Sequence, residues 1–306
     1  MSNLNSLNII KLIIRLLLGV LFIGTAVLKL LSIDNFEIYI YSFGIVNYVK
    51  VTFLSRLLIF IELLIGISLI FKIYFRQIWW LTMLMMAGFT IFLIYAAIFR
   101  NDSNCHCFGS LIELDPSQSI IKNIITIVLL LFIRKEQSHD YKPLMRKWLI
   151  GISIAVSIII PFVLVPMDVI YNKIHSEKEN INTVAFYESL SDSTYRELQQ
   201  GRYLINYALA GCKFCRLGAE KLVLMVEKHN IPHEKIKFVV GGNDDAISKF
   251  IEKTNTSDYE HYKIPAPELM SITFGKFPLY VFIEDGKVIK AGDFRILDDE
   301  MILSLQ

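Results

Sequence analysis

Long apolar runs fill the first half of the chain, and short polar segments separate them. Five runs reach or approach the length of a membrane-spanning helix, because crossing roughly 30 Å of hydrocarbon takes about 20 residues. The fourth is the shortest, and Lys122 and Asn123 near its start predict local thinning of the bilayer or a start inside the interface. Pro161 and Pro166 predict a kink near the exit of the fifth. The predicted spans are about Ile9–Leu31, Phe53–Phe71, Ile78–Phe99, Ile120–Ile133 and Trp148–Val169.

The later part of the chain, after a predicted linker at about Tyr171–Asn182, alternates between strand and helix patterns. We therefore predict a membrane all-α helical bundle, four helices plus a fifth span, followed by a soluble α/β domain. The expected domains are residues 1–137, 138–175 and 176–306, and residues 32–50 are expected to form a loop or short helix in the membrane interface. The predicted elements are an extended Thr183–Glu188, helices Asp192–Gln200, Cys212–Asn230 and Asp245–Thr254, strands Arg202–Leu209 and Ile236–Val240, and a hairpin of Leu279–Ile283 with Lys287–Lys290.

The basic residues predict an orientation. The loops after the second and fourth spans carry most of them, including Lys72, Arg76 and Arg146, and the positive-inside rule then places the amino terminus in the cytoplasm. We expect an uncleaved, multi-pass protein of a bacterial inner (plasma) membrane, with everything after the fifth span outside the cytoplasm. Net charge is only +2 and no basic face is clustered, so nucleic acid is not an expected partner.

All four cysteines fall into two close pairs. Cys105 and Cys107 flank His106 in the polar loop after the third span. A disulfide between cysteines one residue apart closes a small strained ring, which favours exchange over structural use. A protonated His106 would help to hold a thiolate. The alternative is a metal half-site completed by His106 or by the other pair.

The second pair, Cys212 and Cys215, lies where a predicted strand ends and a helix begins. The free N–H groups and the dipole of a helix start stabilise an anion, so we expect a lowered pKa at Cys212, which would be the attacking thiolate. Cys215, one turn later, would resolve the mixed disulfide. The alternatives are a zinc half-site or inert thiols.

Charged residues inside the predicted spans are the third signal. A carboxylate such as Glu62 is costly in a membrane unless it is paired or protonated, and Lys29 lies where it can reach it. Arg15 lies on nearly the same helical face as Lys29. These residues predict either a proton path or polar site beneath the cysteine loop, or a helix-joining Glu62 with Arg15 and Lys29 reaching to the interface.

From about residue 180 onward, the order of elements around Cys212 and Cys215 resembles thioredoxin-fold proteins. In that family the proline before the hairpin is cis and packs beside the cysteine pair, and Pro278 matches that position. The chain has Gly211 where the family usually has Trp, and Lys213-Phe214 where it has Gly-Pro. These departures leave the redox potential and the partner preference open.

Residues 8–135 resemble the MauE/DoxX-like family of redox-associated membrane proteins. The resemblance is carried by Arg15, Gly24 and Lys29 in the first span, Glu62 and Gly66 in the second, and Cys105-His106-Cys107-Phe108-Gly109 after the third. It implies a four-helix bundle that serves thiol chemistry. The layout with a fused thioredoxin-like domain is also similar to that of some vitamin K epoxide reductase homologues, whose cysteine spacing differs.

These observations predict a membrane thiol–disulfide oxidoreductase in which the two pairs exchange electrons. We expect it to form disulfides in exported cysteine-containing proteins, with a bilayer quinone near Glu62 as acceptor. No metal ligand is assigned. The alternatives are an outward-directed disulfide reductase, a zinc-binding membrane protein, and an assembly protein without turnover.

Overall fold

The computed structural model describes residues 2–100, 102, 104–110, 114–134, 142–175, 181–190 and 196–306. The chain divides into two compact units, one of residues 1–40 with 52–166 and the other of residues 41–51 with 167–306. Segment 41–51 belongs to the second unit because Asp299 accepts hydrogen bonds from the Tyr41 hydroxyl (2.8 Å) and the Tyr48 N–H (2.6 Å). The predicted domain boundary at 137/138 lies outside the described residues, and the one at 175/176 borders another gap.

Apolar helices dominate the first unit. Five helices in the described part of the chain are long and apolar enough to cross a membrane, as predicted. Helix α2 lies in the segment where a loop or short interfacial helix was expected. The helices are α1 (Ser2–Leu31), α2 (Ile33–Tyr41), α3 (Tyr48–Phe71), α4 (Phe75–Phe99), α5 (Pro116–Ile133) and α6 (Pro143–Ile159), and α6 continues as a π-helical turn (Ile160–Leu164).

Two span boundaries differ from the prediction. Helix α5 begins before Ile120 because Asp115 caps it, accepting from the Gln118 N–H (2.8 Å) while the Gln118 side chain accepts from the Asp115 N–H (3.2 Å). The fifth span ends at Leu164 rather than Val169. Its α-helical pattern gives way to the π turn at Pro161, which has no N–H for an α-helical bond.

Helices α1 and α3 pack closely because both present a glycine at the contact. A Cβ atom added to Gly19 would lie 2.6 Å from the Ile70 side chain and 3.0 Å from the Gly66 carbonyl oxygen. A Cβ atom at Gly66 would lie 2.6 Å from Ile23 and 2.9 Å from the Gly19 carbonyl oxygen. Small residues let helix backbones approach in this way, which brings the polar residues of α1 and α3 within reach of each other.

A second polar contact inside this unit joins α2, α3 and the end of the fifth span. Arg56 is fully buried and forms an ion pair with Glu37, and it also donates to the carbonyl oxygens of Val165 and Pro166 at 3.0 Å each. Ser55 donates a further hydrogen bond to Glu37 (2.9 Å). The buried guanidinium is thereby satisfied, as a charge in a low-dielectric interior requires.

The second unit has a thioredoxin-like fold, as predicted. Strands β2, β3 and β4 run parallel, β5 and β6 are antiparallel additions, and the sheet order is β4-β3-β2-β5-β6. The central strand β2 is almost entirely buried. Four-residue β1 lies in the first unit and is described with the site. The strands are β1 (Cys107–Ser110), β2 (Arg202–Leu209), β3 (Ile236–Gly241), β4 (Glu260–Lys263), β5 (Leu279–Glu284) and β6 (Lys287–Gly292).

The helices of this unit correct several predictions. The segment predicted to be extended is helix α8, because the Asn182 side chain accepts from the Ala185 N–H and caps it. Part of the predicted linker is helix α7. Of the predicted helix Asp192–Gln200, residues 196–198 are helical and residues 192–195 lie outside the described chain. Strand β4 and helix α11 were not predicted from their polar, proline-bearing stretch. The helices are α7 (Asp168–His175), α8 (Thr183–Ser189), α9 (Lys213–His229), α10 (Asp244–Thr254), α11 (Ala266–Thr273) and α12 (Asp299–Leu303).

Candidate active site

The cysteine loop of the first unit places Cys105 and Cys107 in different surroundings. Cys105 is buried, and its Sγ lies 2.9 Å from the Ser119 Oγ of helix α5. His106 adopts a left-handed conformation (φ 52°), and Cys107 opens the short strand β1. Both cysteines are free thiols in this structure.

Gly109 allows this strand to pack against helix α1. Its φ is +67°, and a Cβ atom there would collide with the Leu28 carbonyl oxygen and the Ser32 side chain. Glycine alone tolerates both the left-handed backbone and the close approach. The glycine of the Cys-His-Cys-Phe-Gly string is therefore a packing requirement.

Replacing Gly109 with alanine is expected to lower the free energy of unfolding by about 2–4 kcal/mol, because backbone strain and overpacking add. Thermal unfolding of the full-length protein in detergent measures the change. Gly24→Ala is the matched control, since no atom lies within 4 Å of a Cβ placed there. Equal stabilities for the two variants would contradict this account of the loop.

Cys107 lines a small cavity between α1, α3, α4 and α5. Lys29 and Glu62 face each other there, with 2.5 Å between Nζ and Oε1, and Thr25 lies 3.5 Å from the other carboxylate oxygen. This pairing of Lys29 with Glu62 was predicted from the sequence and is confirmed. The lining residues are Leu21, Phe22, Thr25, Lys29, Glu62, Met85, Met86, Phe89, Cys107, Lys122, Asn123 and Thr126.

The two thiols of the loop differ in acidity. A hydrogen bond from Cys105 lowers the pKa of Cys107 to about 6, against the effect of burial, and the positive charges of Lys122 and Lys29 act in the same direction. The pKa of Cys105 is raised far above its ordinary value, because its thiol is held as the donor to Cys107 and is buried. Cys107 is therefore the more acidic thiol of the pair.

Two other predicted residues lie away from this cavity. The His106 ring packs against Tyr39, with centroids 5.3 Å apart, and its role in holding a thiolate stays a prediction. Arg15 is buried and donates to the carbonyl oxygens of Leu69 and Ile70, the latter at 2.8 Å. These carbonyls belong to the last turn of α3, and the expectation that Arg15 reaches to the interface stays a prediction.

The second cysteine pair lies at the start of helix α9. Cys212 is the N-cap residue, and its Sγ accepts a hydrogen bond from the Cys215 N–H at 3.2 Å. Cys215 is fully buried, and its Sγ accepts from the Leu209 N–H at 3.4 Å. Burial raises the pKa of Cys215. The peptide bond before Pro278 is cis, as the resemblance implies.

Sequence reasoning did not assign four residues of α5 to the site. Ser119, Asn123 and Thr126 are buried at helical spacing, and Lys122 projects beside them. Polar residues recurring every three or four positions in an apolar span indicate a face turned towards other helices. This stripe of polar residues is the sequence signal by which the α5 side of the site could have been predicted.

Comparison with known proteins agrees with this geometry. Residues 7–134 match the family model described as methylamine utilisation protein MauE. The matched region contains the four spans α1, α3, α4 and α5, the cavity and the cysteine loop. The DoxX part of the resemblance stays a prediction.

A second match extends beyond the region that the family model covers. The chain is 29% identical over 305 aligned residues to Protein TlpB of Flavobacterium psychrophilum, covering 82% of this chain and 81% of that protein. No solved structure gives a significant match. Together with the five apolar helices, these matches support a multi-pass membrane protein linked to thiol–disulfide redox chemistry. In the described residues, no three His, Cys, Asp or Glu side chains are grouped so as to hold a metal ion.

Proposed function

We propose that the protein is a membrane thiol–disulfide oxidoreductase that relays electrons between Cys212–Cys215 and Cys105–Cys107. In this proposal it forms disulfides in exported proteins and delivers the electrons to a quinone of a bacterial inner membrane. The soluble unit and the cysteine loop face the outside of the cytoplasm, where disulfide formation has a purpose.

The placement of the two loop sulfurs is the observation that carries the proposal. Cys105 is buried against Ser119, whereas Cys107 lines the cavity together with Lys29 and Lys122, whose positive charges favour a thiolate there. A thiolate is both the nucleophile and the better leaving group in exchange, so such a pair opens and closes readily. A purely structural pair has no need of this polarity.

The exchange balances as follows. A substrate dithiol reduces the Cys212–Cys215 disulfide and becomes oxidised itself. The Cys212 thiolate then attacks the Cys105–Cys107 disulfide, forming a mixed disulfide and releasing a thiolate from the loop. Cys215 attacks Cys212, which restores the second disulfide and leaves Cys105 and Cys107 as a dithiol. Two electrons and two protons must then leave the loop.

The lining of the cavity beside Cys107 carries polar groups of the kinds that a quinone would contact, and the cavity, with a volume of about 30 Å³, would have to widen to admit the ring. A quinone, when bound, takes up two electrons and two protons. Lys29 and Lys122 offer N–H donors for carbonyl oxygens. The Asn123 Oδ1 is buried and has no hydrogen-bond partner among the described residues, so it would accept from a hydroxyl group of the reduced form.

The cysteine positions favour the oxidase direction. A reductase would carry electrons outward from the cytoplasm, and an inner thiol would have to receive them. All four cysteines of the chain lie in the two pairs, and none lies in a span. Oxidation by a membrane quinone needs no inner cysteine.

Cys215→Ser is expected to stall exchange at the mixed disulfide, because the resolving thiol is missing. The full-length variant in quinone-loaded lipid nanodiscs is digested without reduction, and its cross-linked peptides are identified by mass spectrometry. The expected product joins Cys212 to Cys105 or Cys107.

The control is the double variant Cys212→Ser/Cys215→Ser, which should give no such link. Cys212 found free or joined only to other proteins, with the loop pair never linked to it, would refute the relay. In a separate assay, reduction of a peptide disulfide by the unaltered protein, rather than oxidation of the corresponding dithiol, would show the reductase direction instead.

A further inference from the structure

The Lys122 side chain lies against the cysteine loop. Its Nζ lies 5.0 Å from the centre of the Phe108 ring, and its side chain lines the same cavity as Cys107. Ser119, one turn earlier on α5, contacts Cys105 at 2.9 Å. One face of helix α5 thus lies beside both sulfurs, with the Ser119 hydroxyl near Cys105 and the Lys122 ammonium near Cys107.

Of the two lysines that line the cavity, Lys29 has a carboxylate partner and Lys122 has none at ion-pair distance among the described residues. From α1 and α3, Lys29 and Glu62 neutralise each other at 2.5 Å. Helix α4 contributes the uncharged Met85, Met86 and Phe89. No carboxylate oxygen of the described residues lies within 4 Å of the Lys122 Nζ, which leaves its charge for Cys107.

The remaining titratable groups near the loop form a separate set. From α2, the Tyr39 hydroxyl donates to Asp102 at 3.2 Å, and Asp102 pairs with Arg100 at 3.0 Å. The His106 ring is tilted by 49° against the Tyr39 ring and is not part of the cavity lining. Burial and the hydrogen bond to Cys107 raise the pKa of Cys105.

We propose that Lys122 is a positioning residue that keeps Cys107 as the anionic sulfur of the loop and makes it the sulfur released in each exchange. The second part of this inference rests on the proposed function. In the step itself, an incoming thiolate bonds to Cys105, the Cys105–Cys107 bond breaks, and its electron pair stays on Cys107. The Lys122 charge balances the released anion, so no proton has to reach the buried loop at that moment.

Alkylation measures the anion directly and needs no turnover. Full-length Cys212→Ser/Cys215→Ser protein in nanodiscs is treated with iodoacetamide between pH 5 and pH 10, and the labelled peptides are quantified by mass spectrometry. The rate at Cys107 should have its midpoint near the pKa of about 6, with Cys105 labelled far more slowly. Lys122→Met should raise the midpoint by about one unit or more and slow labelling at pH 5 about tenfold.

The matched variants separate charge from structure. Lys122→Arg keeps the charge and should keep the midpoint, and Lys142→Met, which removes an exposed lysine, should leave it unchanged. Lys122→Gln replaces Lys122→Met if the latter is not monodisperse. Equal midpoints for the Arg variant and the uncharged variant would overturn the inference. A shifted midpoint together with failure of the Cys215→Ser cross-link would refute the relay and leave the role of Lys122 intact.

Discussion

Replacing Cys105 with alanine is expected to slow reoxidation of the Cys212–Cys215 dithiol by about a hundredfold or more, because a single remaining thiol cannot form the loop disulfide. The two loop cysteines act as one unit, so removing either one should cost as much as removing both. Cys107→Ala and the double variant Cys105→Ala/Cys107→Ala should therefore show the same residual rate. The rate is measured in quinone-loaded nanodiscs from the fraction of Cys212 and Cys215 that reacts with a maleimide over time.

Lys142→Met, which changes an exposed residue outside the loop and the cavity, is the control for this experiment and should retain the unaltered rate. A Cys105→Ala protein that reoxidises its second pair at the unaltered rate would show that the two pairs work separately. Each pair would then need its own electron partner.

Removing Lys29 is expected to destabilise the bundle by about 3–5 kcal/mol, because Glu62 would be left as an uncompensated buried charge. The side chains are 4% and 5% exposed, so water cannot replace the lost partner. Lys29→Met/Glu62→Leu removes both charges and should recover most of the lost stability. Thermal unfolding in detergent measures the effects, with Lys11→Met as the control.

The double variant also separates the two roles predicted for Glu62. A stable protein that no longer passes electrons from Cys105–Cys107 would assign the ion pair to the chemistry of the cavity. Full turnover in the same protein would show that the Lys29–Glu62 ion pair only stabilises the contact between α1 and α3. A loss below about 1 kcal/mol for Lys29→Met alone would contradict the buried-charge argument.

The sequence predicted the architecture well because hydropathy and cysteine spacing are local signals. The apolar runs identified all five spans, and the strand–cysteine–helix order identified the thioredoxin-like unit. The pairing of Lys29 with Glu62 followed from the cost of burying a lone carboxylate. Boundaries were missed where a side chain changed the helix start, as Asp115 does for α5 and Asn182 for α8.

Side-chain partners were harder to predict, because they depend on how helices rotate against one another. Arg15 bonds two carbonyl oxygens in the last turn of α3, a contact that the sequence did not predict. Lys122 predicted local thinning of the bilayer or a helix start inside the interface, and the structure shows that its side chain lines the cavity. In the sequence, a charged residue near the end of an apolar run looks the same whether its side chain turns to the membrane interface or into the helix bundle. Only the packing of the neighbouring helices decides which way it points.

The polar stripe of α5 has a consequence for biogenesis. Among the five candidate spans α5 is the shortest, with 18 residues, and the least hydropathic, with a mean hydropathy of 1.7. Each lysine near the middle of a span costs about 2.5–3.5 kcal/mol during translocon-mediated insertion, and less near an end. The side chains that build the cavity thus make α5 the weakest span to insert, and α1, α3 and α4 leave the ribosome before it. We therefore expect α5 to insert after α1, α3 and α4, because those helices supply the protein surface against which its polar face packs.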